Sequence, residues 1–229
     1  MRMSRLRWAV LLELAKAWRL NLDAPAARII RVFNLNSGLV YKFLRELEND
    51  GIAMEVGRGR WALRDTSGAR ALADYVLETS EDLGLHGHWT RTVPEVYYYI
   101  AEPPSIEWLG FPGRTTIIVD KLLKGRVDPP KGCRLIYTSM RGRIWRYDWD
   151  LRVPRGLPEQ SLADLLAHDP DYPVEQYIYN NLEWLNLDEI ARRTTPQGLR
   201  RLSTFLSFLR MVTGEPVAAG FDYFGLADP

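Results

Sequence analysis

The first 65 residues carry the pattern that most restricts the fold, because they predict three short helices followed by a β-hairpin. Apolar residues recur at every fourth position from Leu6 to Trp18, which places them on one face of a first helix. Asp23 is a candidate N-cap for a second helix. Ser37 is a candidate cap for a third helix, which we expect to end near Gly51.

Residues 52–56 then alternate apolar and polar side chains, residues 57–60 read Gly-Arg-Gly-Arg, and residues 61–63 return to a strand pattern. Three helices followed by a hairpin form the element order of a winged helix-turn-helix. Residues 36–52 resemble the third helix and first wing strand of bacterial and archaeal winged-helix regulators. The sequence therefore predicts an N-terminal winged helix-turn-helix over residues 1–66.

We expect this unit to bind double-stranded DNA. When the apolar stripe of the third helix faces inward, its small N-terminal residues permit close approach to DNA, and its cations can reach guanine edges or phosphates in a major groove. The arginines of the hairpin turn can follow the phosphate backbone or enter a minor groove. The candidate DNA-binding residues are Ser37, Gly38, Tyr41, Lys42, Arg45, Arg58 and Arg60.

The distribution of charge is consistent with this expectation. The whole chain of 229 residues has a formal net charge of only +1. Residues 1–70, however, contain thirteen Lys and Arg against seven Asp and Glu, whereas residues 71–229 contain seventeen against twenty-two. A basic N-terminal third beside an acidic remainder is typical of a chain in which one part faces nucleic acid.

Residues 67–229 are predicted to form a separate α/β effector domain that ends in a helical bundle. Short strands are expected near residues 96–100, 115–119, 134–138 and 144–148, and four helices after Pro154. The predicted fold class is therefore α+β, with an N-terminal winged helix-turn-helix, a mixed α/β domain and a helical C-terminal part. We expect a fragment that begins near Ser67 to fold alone.

A basic cluster lies across the turn between the last two predicted helices. Its members are Arg192, Arg193, Arg200 and Arg201. Such a cluster is either a solvated helix face or a surface for a partner, and the sequence leaves both interpretations open.

Motifs for catalysis and metal binding are sparse. The chain contains no Gly-x-Ser-x-Gly, no phosphate-binding Gly-x4-Gly-Lys-Ser/Thr and no His-Glu-x-x-His. The pair His86 and His88 lacks further ligands at zinc spacing, and Cys133 lacks a nearby base. Asp148 and Asp150 have the spacing of paired magnesium carboxylates, so a nucleotide-processing enzyme is an alternative. We expect no enzyme activity, no cofactor and no metal.

The order of the parts resembles the AbiEi-type antitoxins, the transcriptional regulators of AbiE toxin–antitoxin systems. The similarity is carried by Leu-Pro-Glu-Gln-Ser-Leu-Ala-Asp-Leu-Leu at residues 157–166 and by Leu-Arg-Arg-Leu-Ser-Thr-Phe-Leu at residues 199–206. Gln160 and Ser161 stand where the family usually has a basic and a small residue. The resemblance implies a non-enzymatic antitoxin that represses its own operon and counteracts a nucleotidyltransferase toxin encoded nearby.

Two further expectations concern partners and location. A winged-helix protein-interaction module without DNA binding is the other alternative function. Helix-turn-helix proteins usually bind as dimers or on tandem repeats, so a homodimer is one expected form, although no dimer heptad is present. No apolar run approaches the length of a membrane span, and the N-terminal apolar stretch is too short for a signal peptide, so we expect no membrane partner and a cytoplasmic protein.

Overall fold

The computed structural model describes residues 4–79, 92–101 and 115–214, which form a mixed α+β protein with two β-sheets. The described helices are α1 (Arg5–Arg19), α2 (Ala26–Phe33), α3 (Ser37–Asn49), α4 (Ser67–Thr79), α5 (Pro158–His168), α6 (Val174–Asn180), α7 (Leu187–Arg193) and α8 (Pro196–Thr213). The described strands are β1 (Ala24–Pro25), β2 (Ala53–Gly57), β3 (Arg60–Leu63), β4 (Tyr98–Ile100), β5 (Thr115–Asp120), β6 (Cys133–Thr138), β7 (Trp145–Asp148) and β8 (Val153–Gly156). The short helix expected at residues 105–109 lies outside the described residues.

The three N-terminal helices form where the sequence predicts them, but two of their caps differ. The cap of α3 is Asn36, whose Oδ1 accepts a hydrogen bond of 3.1 Å from the N–H of Leu39, and Ser37 is already the first helical residue. Asp23 does not cap α2, which begins after Pro25 without a side-chain cap. Asn and Ser are equivalent cap residues, so composition alone could not choose between neighbours.

The first sheet has the order β1-β3-β2 and lies beside α1 to α3. β2 and β3 form the expected antiparallel hairpin, with Ala53 opposite Leu63. β1 adds a short third strand in which Ala24 lies opposite Trp61. The Trp61 ring is buried, and it anchors the hairpin against the helices.

The second sheet has the order β6-β5-β4-β8-β7 and mixes parallel and antiparallel pairs. β5 pairs with β6 and β4 with β8 in parallel, whereas β4–β5 and β7–β8 are antiparallel. α5 packs against β8 and against α7 and α8. β4 and β5 are almost entirely buried, as expected for the central strands of a covered sheet.

The two sheets and their helices share one continuous hydrophobic core. α1 packs along α4, and the rings of Trp8 and Phe33 contact those of Tyr147 and Trp149 at centroid separations of 4.7–6.2 Å. The division into residues 1–66 and 67–229 stays a prediction, and the two parts pack against each other through this interface.

Buried polar contacts also cross this interface. Glu13 and Lys16 of α1 are both fully buried, and the carboxylate oxygens of Glu13 accept hydrogen bonds of 3.0 and 3.2 Å from the backbone N–H groups of Glu95 and Val96. Arg28 of α2 donates to Oδ2 of Asp120 at 3.0 Å. None of the helices in the described parts of the chain is long and apolar enough to cross a membrane.

Candidate nucleic-acid interface

The outward face of α3 is exposed as its apolar spacing predicts. Val40, Leu44 and Leu47 are buried against the N-terminal core. The side chains on the opposite face are all exposed, namely those of Ser37, Tyr41, Lys42 and Arg45, and the Gly38 backbone is exposed beside them. The sequence-predicted helix residues therefore share one surface.

The turn between β2 and β3 lies next to this helix face. Gly59 has a φ of +68°, a conformation that favours glycine, and its N–H donates a 2.7 Å hydrogen bond to Oε1 of Glu55. A Cβ added to Gly59 would lie 3.6 Å from Oη of Tyr41. The helix face and the hairpin turn are thus adjacent parts of one surface.

Arg45 is already engaged by carboxylates of α3 and β2. Its guanidinium donates to Glu48 at 2.5 Å and to Glu55 at 3.0 Å, and it lies over the Trp61 ring at 5.1 Å from the centroid. The hydrogen bond to Glu48 is the main cause that raises the pKa of Arg45. A DNA contact by Arg45 would compete with these interactions, which hold α3 against the hairpin.

Arg60 is engaged in a similar way by Asp23. Its Nε and Nη2 donate to the two carboxylate oxygens of Asp23 at 2.7 and 2.6 Å, a bidentate pair that also raises the pKa of Arg60. The hydroxyl of Tyr97, which directly precedes β4, donates to the backbone oxygen of Asp23 at 2.6 Å. The position of Arg60 is therefore set by Asp23, which itself contacts the residue that precedes the second sheet's strand β4.

Lys42 and Arg58 differ from these two arginines. Both side chains are exposed, and neither makes an ion pair or side-chain hydrogen bond with any residue in the described parts of the chain. They are the cations of the surface that can contact a phosphate without first giving up a partner.

Apolar side chains share the surface with these cations. Leu39 is 56% exposed, and Met54 and Val56 of the edge strand β2 are 39% and 48% exposed. The edge of β2 away from β3 has no strand paired to it within the described residues. An edge of this kind is suited to contact with another protein surface as well as to DNA.

The C-terminal arginine cluster divides into two kinds of residue. Arg201 donates a bidentate pair to Glu175 and further bonds of 2.8 and 2.7 Å to the backbone oxygens of Asp169 and Tyr172. Arg193 pairs with Glu189. Arg201 thus joins α8 to α6, and Arg193 joins α7 to α5 because it also donates to Oε1 of Gln160 at 3.2 Å, whereas Arg192 and Arg200 are exposed.

The segment that resembles the antitoxins forms α5, and most of it is buried. Its Asp164 is only 1% exposed and accepts hydrogen bonds from Tyr99 and Gln160, and from Arg143 at 3.1 and 2.7 Å. The first of the two similar segments therefore contributes to the core of the C-terminal part.

The carboxylate of Asp148, one of the two alternative catalytic residues, pairs with Arg155 at 3.5 Å and also accepts local hydrogen bonds. Oδ1 of Asp148 accepts hydrogen bonds of 3.0 Å from the N–H groups of Asp150 and Leu151, so it stabilises the turn after β7. Cys133 begins β6 and is half-buried, whereas His86 and His88 lie outside the described residues. Residues 4–79, 92–101 and 115–214 contain no cluster of three potential metal ligands.

Sequence reasoning missed a buried charged group between α1 and the segment that precedes β4. Glu13, Lys16 and Glu95 are all less than 2% exposed, and Lys16 donates a hydrogen bond to Oε1 of Glu95. Burial is the main cause that raises the pKa of Glu13 well above its usual value, and the charge of Glu95 adds to it. The available signal was the position of both charges inside the most apolar stretch of α1.

Comparisons with known proteins place no further constraint on this site, since no protein-family model, curated protein or solved structure matches the chain.

Proposed function

We propose that the protein is a DNA-binding transcriptional regulator that contacts duplex DNA through α3 and the β2–β3 turn of a winged helix. The observation that carries this proposal is the juxtaposition of the exposed α3 face with the glycine-rich turn, at Tyr41 and Gly59. The three helices and the β1-β3-β2 sheet support the winged-helix interpretation.

Lys42 and Arg58 are the primary phosphate contacts in this proposal, because both are exposed and neither has an ionic partner among the described residues. Ser37 and Gly38 lie at the N-terminal end of α3, where backbone N–H groups and the helix dipole favour a phosphate. Arg45 and Arg60 form contacts only when DNA replaces Glu55 or Asp23 as their partner.

The experiment measures fluorescence anisotropy of a labelled duplex from the region upstream of the protein's own gene. We expect wild-type affinity to fall steeply with salt, since each neutralised phosphate releases counterions. The double variant K42A/R58A should bind at least tenfold more weakly, and its slope of log affinity against log salt should be smaller by about two.

The matched control is K124A/K131A, which removes two exposed positive charges near the start of β6. We expect its affinity to stay within about twofold of wild type. This result would exclude non-specific loss of charge as the cause of the weaker binding by K42A/R58A. Affinity that is independent of salt, or equal losses in both double variants, would refute DNA binding by this surface.

The antitoxin role is a second part of the proposal. It is supported by the resemblance of residues 157–166 and 199–206, of which the first forms the buried helix α5. The protein should repress a reporter placed behind its own upstream region, and its co-expression should rescue cells from an adjacent nucleotidyltransferase. A neighbouring transferase whose toxicity is unaffected would remove this role and leave DNA binding intact.

A protein-interaction module is the second candidate, and the exposed Leu39, Met54 and Val56 favour it. A second copy of the chain pairing along β2 would give a homodimer. If the protein binds no DNA and V56D converts a dimer to a monomer in light-scattering measurements, this candidate replaces the first. If V56D still binds DNA, the protein-interaction candidate is excluded.

A further inference from the structure

A cleft lined by arginines lies in the C-terminal part and shares no lining residue with α3 or the β2–β3 turn. It has a volume of about 450 Å³ and is formed by the turn between β6 and β7, the start of α5 and the end of α7. Its lining residues are Arg141, Gly142, Arg143, Gln160, Glu189, Arg192 and Arg193. The volume falls within the range of small-ligand sites.

The net charge of this cleft is opposite in sign to the net charge of residues 71–229. Four guanidinium groups and one carboxylate line it, for a net charge of +3, or +2 when the buried Asp164 behind Arg143 is included. Residues 71–229 as a whole carry more acidic than basic side chains. Repulsion among clustered guanidinium groups opposes folding, so a strongly anionic ligand would stabilise the cleft.

Two of the arginines are fixed in the wall. Arg143 forms an ion pair with Asp164 and donates a hydrogen bond of 2.6 Å to the backbone oxygen of Ser139. Its side chain is 15% exposed. Arg193 is 20% exposed, pairs with Glu189 and donates to Oε1 of Gln160 at 3.2 Å. Guanidinium groups that are already held in place lose little entropy when they bind an anion.

The other two arginines lie at the rim and are much less constrained. Arg192 is 69% exposed and approaches Glu189 only at 3.6 Å. Arg141 is exposed and follows Ser139 in a turn that contains Gly142 at a φ of +78°. Cations held by hydrogen bonds in the wall, together with exposed cations at the mouth, suit a ligand that carries several negative charges along its length.

The residues that line the cleft also limit what can be recognised. None of the lining residues within the described parts of the chain is aromatic, so the cleft offers no surface on which a nucleobase can stack. Arginine forks match phosphate oxygens in bidentate geometry. The chemistry therefore selects phosphate groups and not a base.

We propose that this cleft binds the phosphate chain of a small polyphosphate ligand, either a nucleoside triphosphate or inorganic polyphosphate. The two wall arginines and the two rim arginines contact successive phosphates, and any base lies outside the cleft. This inference does not depend on DNA binding by α3.

The test is isothermal titration calorimetry of the full-length protein with inorganic triphosphate, the four nucleoside triphosphates and AMP, without magnesium so that each ligand keeps its full charge. We expect affinities for the four nucleotides within about threefold of one another, and binding of AMP at least tenfold weaker. Nucleotides that bind more tightly than inorganic triphosphate identify the nucleotide as the source. Equal affinity identifies the phosphate chain itself.

The variant R141A/R192A should weaken binding at least tenfold, and K124A/K131A should bind within twofold of wild type. K42A/R58A should retain triphosphate binding, which separates this cleft from the proposed DNA surface. Thermal unfolding of each variant establishes that it is folded. A rim variant that binds like wild type overturns the proposal.

Other results also overturn the proposal. These are the absence of binding at millimolar triphosphate, selection of one base over the others by more than tenfold, and rim-dependent capture of an acidic peptide in place of triphosphate. If the wild-type protein binds triphosphate but does not bind DNA, the proposed function is refuted and the cleft proposal stands.

Discussion

Lys16 of α1 donates a hydrogen bond to Oε1 of Glu95, and both side chains are buried where α1 meets the second sheet. Trp145 of β7 donates to the backbone oxygen of the same Glu95 at 3.0 Å. One residue thus connects the N-terminal helices to the strand that forms the far edge of the second sheet.

Removal of this buried cation should be costly. K16M should lower the free energy of unfolding by about 3–5 kcal/mol, because the carboxylate of Glu95 stays buried without its partner. Urea denaturation followed by circular dichroism measures the change. The control R19M breaks the exposed pair with Asp74 and should cost less than about 1 kcal/mol. Equal effects would show that Lys16 contributes no more than a surface charge.

The pKa of Glu13 leads to a pH prediction. Because burial raises this pKa, the folded protein binds the proton more tightly than the unfolded chain does. The contribution of Glu13 to stability is complete below the usual carboxyl pKa of about 4.5 and is lost as pH rises through the raised value. E13Q imitates the protonated carboxyl. Its free energy of unfolding relative to wild type should therefore increase as pH rises from about 4.5 through the raised pKa of Glu13. E78Q, at an exposed position of α4, should show no such trend in parallel urea titrations.

The shared core changes our expectation for the isolated C-terminal fragment. The sequence suggests that a fragment from Ser67 folds alone. Such a fragment, however, lacks the packing of α1 against α4 and the hydrogen bonds that Glu13 and Lys16 form with Glu95. We now expect it to lack cooperative unfolding and to bind a dye that reports exposed apolar surface. A sharp thermal transition in the fragment would establish that residues 67–229 are an independent domain.

Gly198 lies at a close approach of α8 to α5. A Cβ at this position would lie 2.0 Å from Oγ1 of Thr194 and 3.0 Å from the backbone nitrogen of Ala167. G198A should therefore destabilise the protein by about 1–3 kcal/mol. Gly68 in the first turn of α4 has open space around it, and G68A should stabilise by up to about 1 kcal/mol. Thermal melts of the two variants compare the same change in two packing environments.

The pair of Asp23 and Arg60 gives a prediction for DNA binding. D23N removes the charge that neutralises Arg60, so affinity for duplex DNA at low salt should rise severalfold and its salt dependence should steepen. D74N likewise removes the carboxylate partner of an exposed arginine, Arg19 of α1, which is not a candidate DNA contact, and should change affinity little. An unchanged D23N affinity would show that Arg60 does not contact DNA.

The sequence predicted local elements better than the contacts between them. Periodicity placed α1 to α3 and both strands of the hairpin, because each has an apolar face of its own. The β1 strand is only two residues long, and its pairing with β3 depends on tertiary contact. The order of the second sheet depends on crossovers that no local pattern encodes.

The candidate site was predicted in the same uneven way. The exposure of Lys42 follows from helical spacing, but Glu55, the second partner of Arg45, and Asp23, the partner of Arg60, lie 10 and 37 residues away along the chain. The arginine cleft likewise unites Arg141 with Arg192, which are distant in sequence. The sequence pattern could not predict these long-range charge pairs, because the spacing of residues within one helix or strand carries no information about contacts between elements.

The contact from Tyr97 to Asp23, and from Asp23 to Arg60, also bears on how such a chain can be recombined. Gene rearrangement transfers a module intact only when the contacts that shape its working surface lie within it. Here the phenol that orients Asp23 is supplied from outside the N-terminal unit, just before β4. A hybrid that joins residues 4–66 to an unrelated partner would acquire the hairpin turn without the group that positions its bidentate pair. The smallest exchangeable module consequently includes the segment that carries Tyr97.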